Sequence, residues 1–113
     1  MDYGITDQLP EDDPRLEEFA KQREERGFDD TETWCLSSAI AKFLVPRLKR
    51  FKELHCCYPP SITFEEWDKI IQEMIDGFEH FLEMDNIKYE EFDSEKVRRA
   101  LNLFRKWFWD LWW

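Results

Sequence analysis

The sequence predicts an all-α protein: a small helical domain with three main helices and a shorter N-terminal helix, which assembles into an oligomer. Apolar residues recur at helical spacing over three long segments, and no segment alternates apolar and polar residues long enough for a confident strand. The tryptophan-rich C-terminus favours the oligomer. The length of 113 residues suits one domain, so we predict an extended acidic arm at residues 1–12 and a single helical domain over 13–113.

The first predicted helix is short and charged and covers residues 14–26. Asp13 suits the N-cap, and Pro14 suits the first helical position, where its missing N–H costs nothing. Gly27 follows, and glycine readily takes the left-handed conformation that ends many helices.

The second predicted helix covers residues 34–54, with Thr31 or Thr33 as its N-cap. The apolar residues that give it helical spacing are Leu36, Ile40, Phe43, Leu44, Leu48 and Phe51. Pro46 lies inside this helix and removes the hydrogen bond to the Lys42 carbonyl, so we expect a kink there.

The third predicted helix has the clearest start signal in the chain. Thr63 and Glu66 have the spacing of a capping box, in which each side chain accepts the backbone N–H of the other residue. The helix is predicted to reach residue 84, and an acidic connection over 85–93 follows. Ser94 is the predicted N-cap of a fourth helix that runs to the C-terminus.

Composition excludes several classes of protein. A net charge of −10 argues against general binding to the phosphates of duplex DNA, which needs a positive surface. An aromatic content of 17% is unlike that of disordered chains. No stretch approaches the roughly 18 uninterrupted apolar residues of a membrane-spanning helix. Three cysteines, an odd number, are predicted to be reduced thiols of a cytosolic protein.

Charge is segmented along the chain. Residues 34–58 and 96–113 each have a net charge of +4, whereas residues 1–33 have −8 and residues 59–95 have −10. Because electrostatic fields act locally, a basic segment leaves room for an anion site in an acidic protein.

Arg47 is the main candidate for an anion contact. On the predicted helix it points along the apolar stripe, where an unpaired guanidinium is costly to bury. It therefore needs an anion, a carboxylate of the third helix, or a kink at Pro46 that turns it outward. Lys49 and Lys52 point the other way and are expected to be solvated. Trp34 fits either core packing or stacking on a nucleobase.

The C-terminal segment carries more apolar surface than a chain of this size covers by itself, and such surface usually marks an interface. Homo-oligomerisation is the favoured explanation, and docking onto a foreign protein is the second. Peripheral membrane insertion is the third, because few bases flank the terminus. The predicted interface residues are Trp107, Trp109, Trp112 and Trp113.

The sequence predicts neither a metal site nor catalysis. His55, Cys56 and Cys57 are consecutive, and consecutive residues seldom share one tetrahedral ion. The sequence has no glycine-rich phosphate loop and no nucleophile with a base at a known spacing. We therefore expect a protein that is not an enzyme and has no cofactor.

Two blocks of the sequence resemble a family of small phage proteins. The first is Trp34-x-Leu36-x3-Ile40-Ala41-x-Phe43-x2-Pro46-Arg47-Leu48-Lys49-x-Phe51-Lys52, followed by Tyr58-Pro59. The second is Glu66-Trp67-Asp68-x-Ile70-Ile71-x2-Met74-Ile75-x2-Phe78-Glu79. Together they cover about half of the chain. The sequence departs from the family at Cys35 and Ser37, where the family has polar and acidic residues, so residue roles transfer less well to that helix turn.

The resemblance implies an accessory phage product in the host bacterial cytoplasm that counters host defence. The family is similar to proteins called sponges, which are oligomers that sequester a cyclic oligonucleotide-type immune signal without cleaving it. On that interpretation, Arg47, Lys49 and Arg50 would clamp phosphates in a pocket between subunits. Trp34 or Tyr58 would stack on a base.

Two other functions stay open. The acidic blocks over residues 7–32 and 65–95 are typical of a nucleic-acid mimic, an anti-CRISPR-like inhibitor that occupies the basic groove of a host defence protein. A structural or assembly role in the virion is the third hypothesis.

Overall fold

Residues 3–113 are described by the structure, a computed structural model, and this part of the chain is all-α without any strand. The α-helices are α1 (Arg15–Arg26), α2 (Thr31–Trp34), α3 (Leu36–Leu54), α4 (Phe64–Leu82) and α5 (Ser94–Trp107). The predicted fold class is confirmed, with α2 as an addition, whereas the oligomer stays a prediction. No helix in this part of the chain combines the length and apolar character needed to cross a bilayer.

The chain divides into two compact units, Met1–Phe43 and Leu44–Trp113. The division falls inside α3, whereas the sequence predicts one domain over 13–113. Each unit has its own buried side chains, among them Phe19 in the first unit and Trp67 in the second.

In the first unit, α1 begins one residue later than predicted, with Pro14 instead of Asp13 at its N-cap, and it ends at the predicted Gly27. The Asp13 carboxylate accepts a hydrogen bond from the Arg15 backbone N–H at 2.9 Å and also pairs with the Arg15 guanidinium. The guanidinium first, and then the amide, lower the pKa of Asp13 to about 2. At the other end, Gly27 has a φ of 87° and donates its N–H to the Arg23 carbonyl at 2.9 Å.

A separate short helix, α2, precedes α3 and ends at Trp34, the residue where the sequence predicts the second helix to begin. Cys35 has φ −122° and ψ 59°, which is not helical, so α3 starts after it. Neither predicted threonine caps α3. The Thr31 hydroxyl is buried and donates to the Asp29 carboxylate, and the Thr33 hydroxyl donates to a backbone carbonyl at 2.7 Å.

The Asp29 and Glu32 carboxylates each accept a backbone N–H near the start of α2. The Asp29 carboxylate accepts the Thr31 N–H at 2.8 Å, and the Glu32 carboxylate accepts the Asp29 N–H at 2.8 Å. Arg23 pairs with the second oxygen of Asp29. Both carboxylates are buried, and these bonds offset the cost of removing their charges from water.

The predicted acidic arm at residues 1–12 is partly helical. Its first two residues lie outside the described residues, and Thr6–Gln8 form a short 3-10 helix in which Thr6 is buried. The Ile5 N–H donates to the Thr31 hydroxyl at 3.1 Å, and the Lys42 ammonium donates to the Gly4 carbonyl at 3.0 Å. These bonds attach the segment to the rest of the first unit.

In the second unit, α4 has the predicted capping box and carries most of the core. The Thr63 hydroxyl accepts the Glu66 N–H at 3.1 Å, and the Glu66 carboxylate accepts the Thr63 N–H at 3.2 Å. The buried apolar residues of this unit are Val45, Leu48, Trp67, Ile71, Met74, Ile75, Phe78 and Ala100.

Helix α5 packs against α4 and ends earlier than the sequence predicts. Asp93, rather than Ser94, is its N-cap, because the Asp93 carboxylate accepts the Glu95 and Lys96 N–H groups at 3.1 and 3.3 Å. The α-helix stops at Trp107, and Phe108–Asp110 form a 3-10 helix.

Candidate interaction surface

The predicted phosphate-binding bases of α3 lie among carboxylates. The Lys49 ammonium pairs with the Glu79 carboxylate at 2.7 Å, and the Arg50 guanidinium pairs with the Glu53 carboxylate at 2.7 Å. Both bases are exposed, so solvent and these carboxylates already satisfy them. An incoming phosphate would have to compete for each base.

Arg47 is exposed, which corrects the expectation that it points along a buried stripe. The side chains that α3 buries in the second unit are Val45 and Leu48. At 100° per residue, Arg47 points about 130° away from the midpoint of that pair. Arg47 already has an interaction partner in the chain, and its exposure removes the desolvation argument for an anion.

The part of the predicted α3 apolar stripe that belongs to the first unit is exposed. Leu36, Ile40 and Phe43 are exposed, whereas the small residues Ala39 and Ala41 are buried. The periodicity therefore identified a helix correctly but assigned the wrong face to the core in its first half, since Leu48 of the same stripe is buried. Burial of alanines allows close packing, which spacing of large apolar residues does not reveal.

A groove lined by Lys49 and Lys52 has balanced charge. Its volume is about 360 Å³. Its lining residues are Lys49, Lys52, Glu53, Asp68, Gln72 and Ile75. The Lys52 ammonium lies 3.4 Å from the Asp68 carboxylate. Two ammonium groups facing two carboxylates give this groove no net preference for a phosphate.

The two predicted stacking residues belong to different units. In the first unit, Trp34 meets the Phe19 ring edge-on at 5.8 Å, and the Arg15 guanidinium lies 5.7 Å from the Trp34 ring centre. In the second unit, Tyr58 meets the Phe64 ring edge-on at 6.1 Å. Trp34 and Tyr58 are both half exposed, so each is partly packed.

The most exposed tryptophans of the chain are at the C-terminus. The side chains of Phe108, Trp109, Trp112 and Trp113 are 55%, 83%, 69% and 61% exposed, and these four residues form the C-terminal aromatic surface. Trp107, the fourth predicted interface tryptophan, differs from the others. It is half-buried and packs edge-on against Trp67 at 5.7 Å.

A small cleft in the second unit brings together residues far apart in the sequence. Its volume is about 240 Å³. Its lining residues are Cys57, Tyr58, Pro59, Pro60, Asp110 and Trp112. Sequence reasoning assigned Tyr58 to a nucleotide site and Trp112 to an interface. It missed their proximity and Asp110, because no short-range pattern joins the α3–α4 connection to the C-terminus.

A shallow groove along α5 was also missed by sequence reasoning. Its volume is about 390 Å³, and its lining residues are Glu95, Arg98, Arg99, Asn102, Leu103 and Lys106. Arg98 pairs with Glu95 at 2.7 Å, and Arg99 pairs with Glu73 at 3.0 Å. The signal that could have found this groove is the recurrence of bases along one helix. Its arginines, like the bases of α3, are paired with carboxylates.

The thiols are all exposed and free, at Cys35, Cys56 and Cys57. The Sγ atoms of Cys56 and Cys57 are 3.8 Å apart, and the hydrogen bond between the two thiols raises the pKa of Cys57. Within residues 3–113, no group of three or more His, Cys, Asp or Glu side chains is arranged to hold a metal ion.

Comparisons with protein-family models, curated proteins and solved structures found no match to this chain. The resemblance to small phage proteins therefore stays a prediction. Function has to be argued from the surfaces of the protein.

Proposed function

We propose that the protein is a non-enzymatic binding protein that docks onto another protein through its C-terminal aromatic surface. The observation that carries this proposal is the exposure of Trp109, Trp112 and Trp113 within five residues of one another. Tryptophan is strongly enriched among the side chains that dominate interface energies. A partner that covers these rings gains roughly 2 kcal/mol or more for each one it removes from water.

The partner that fits the charge of the chain is a basic protein. Three carboxylates in the connection between α4 and α5 (Asp85, Glu90 and Glu91) are exposed and make no ion pair within residues 3–113. With a net charge of −10, the chain attracts a basic partner and repels a second copy of itself. If the resemblance to phage proteins holds, this partner is a host defence protein with a basic groove.

The test replaces the exposed rings that lie outside the cleft. The double variant Trp109→Ala and Trp113→Ala is expected to bind a purified basic partner about 100-fold or more weakly, because two anchor side chains are lost. The partner is first captured from host cells, and its affinity is then measured with purified proteins by calorimetry. Tyr89→Ala is the matched control, since Tyr89 is 91% exposed outside the C-terminal aromatic surface.

Two outcomes of this experiment contradict the proposal. One is an unchanged affinity of the double variant. The other is that light scattering finds a stable oligomer of the intact protein, whereas the double variant does not form it. In that case the surface joins copies of this chain, as the sequence predicts, and no foreign partner is needed. Partner binding should also weaken when salt is raised, since exposed charges are screened.

Sequestration of a cyclic oligonucleotide is the second candidate function. Arg47 and Arg50 are both exposed on α3 and are three residues apart, which puts them on neighbouring positions of the helix surface. Arginine is also the side chain best suited to bidentate phosphate contacts. The pairing of Arg50 with Glu53 counts against this function, because a phosphate would have to displace the carboxylate.

Thermal unfolding with a panel of cyclic oligonucleotides tests this second candidate. Micromolar ligand should raise the unfolding temperature of the intact protein, because a ligand that binds only the folded state stabilises it. Arg47→Ala should abolish that rise, and Arg105→Ala, which removes an exposed base of α5, should keep it. A flat response of the intact protein across the panel rejects nucleotide sequestration.

A further inference from the structure

The cleft between Tyr58 and Trp112 combines two aromatic side chains with one negative charge. Tyr58 is 49% exposed and Trp112 is 69% exposed, so both rings are accessible to a ligand. Of the six lining residues, Asp110 alone is a charged side chain. The Cys57 thiol has a raised pKa and therefore stays neutral near neutral pH.

The Asp110 carboxylate lacks a cation of its own. It is half-buried and makes no ion pair within residues 3–113. The nearest base one helical turn earlier, Lys106, lies over the Trp107 ring, 5.2 Å from its centre. A carboxylate partly removed from water gains from a bound cation, which restores the favourable interactions lost with solvent.

We propose that this cleft binds a guanidinium or ammonium group. Cations are attracted to the faces of Trp and Tyr rings, and the attraction grows when the site excludes water. The Asp110 carboxylate adds charge pairing and repels phosphates, so the cleft is unsuited to the nucleotide that the sequence predicted for Tyr58. The net charge of −10 also concentrates cations near the protein.

The source of the cation follows from the proposed function, on which this step rests. Trp112 belongs both to the cleft and to the C-terminal aromatic surface. A basic partner that covers this surface would bring arginine and lysine side chains to the mouth of the cleft. In the complex, an arginine or lysine side chain of the partner fills the cleft.

The cleft is tested first with a small probe that needs no partner. N-acetyl-arginine amide is titrated at constant ionic strength while the indole N–H resonance of Trp112 is followed by NMR. The expected result is a saturable shift that N-acetyl-citrulline amide, which lacks the charge, does not produce. Asp110→Asn should weaken the probe about tenfold or more, since a charge-assisted contact becomes a neutral one. Tyr89→Leu is the matched control and should bind the probe normally, because Tyr89 is exposed outside both the cleft and the C-terminal aromatic surface.

The outcomes separate the cleft from the proposed function. The absence of a saturable shift, or equal shifts with arginine and citrulline amides, overturns the cation site. If Asp110→Asn fails to fold, Tyr58→Leu must lose probe binding instead. If the probe binds but no protein partner depends on Trp109 and Trp113, the site stands and the proposed function fails. If the partner binds and Asp110→Asn leaves its affinity unchanged, the partner's side chain does not occupy the cleft.

Discussion

Single side chains decide where the helices begin. Asp13, Thr63 and Asp93 each accept backbone N–H groups at a helix start. The first two were predictable from local sequence, because a capping residue acts within three positions. Asp93 was not, since His80, a residue of another helix, accepts its backbone N–H at 2.8 Å and positions the turn.

The Asp13 carboxylate, which is paired with Arg15 at the start of α1, makes stability depend on pH. Its pKa is lowered from 3.8 to about 2 by Arg15, so it stabilises the folded state above the unfolded value. That contribution is lost as the pH falls through the interval between these two values. Asp13→Asn lacks it at every pH. The urea midpoint of the intact protein should therefore exceed that of the variant near neutral pH and converge with it near pH 2.

The control for this titration is Asp12→Asn. Asp12 is exposed next to Asp13, and the hydrogen bonds that Arg15 donates are accepted by Asp13. The urea midpoint of the Asp12 variant should follow that of the intact protein. A constant difference between the intact protein and Asp13→Asn down to pH 2 would contradict the assignment.

At the scale of elements, two small residues, Gly77 of α4 and Ala100 of α5, face each other between the helices. A methyl group added at Gly77 would overlap the Cβ of Ala100 and lie 2.7 Å from the Lys96 carbonyl oxygen. Both small residues are buried. The edge-on contact of Phe78 with Phe104 at 6.0 Å belongs to the same helix pair. The helix spacing thus depends on the absence of a side chain at one position.

Gly77→Ala should therefore destabilise the protein, although alanine favours helices. The helix propensity gain of about 1 kcal/mol is opposed by overpacking, which costs typically 1–3 kcal/mol. Because backbone lies on one side of the added methyl group, we expect overpacking to win. Chemical denaturation measures the difference. Lys69→Ala, an exposed change on α4, is the control and should change stability little, whereas a stabilised Gly77→Ala would contradict this packing.

Helix existence was predictable, but two helix ends were not. Periodicity and caps located α1, α3, α4 and α5 within a few residues. The break at Cys35 follows a buried network of Asp29, Thr31 and Glu32, in which the Thr31 hydroxyl also accepts the N–H of Ile5, 26 residues earlier. The change from α-helix to 3-10 helix after Trp107 accompanies the packing of that ring on Trp67. Such contacts join distant segments, so local patterns do not report them.

At the scale of the whole molecule, the charge of −10 and the exposed tryptophans point to the same kind of partner. Most of the described bases are paired with carboxylates, as the contacts of Lys49, Arg50 and Lys52 show. The excess of carboxylates therefore stays available to a partner. This is why the salt dependence expected for partner binding is a property of the whole chain, whereas the aromatic anchor is local.

The sequence by itself determined the helical class, most helix starts and the apolar excess at the C-terminus, because periodicity, capping and composition act over short ranges. Only the tertiary structure decided which helix face is covered. It exposed Arg47, paired Lys49 and Arg50 with carboxylates, and brought Asp110 and Trp112 to the same cleft as Tyr58. Burial and ion pairing depend on which segments pack together, and the spacing of residues along one helix does not contain that information.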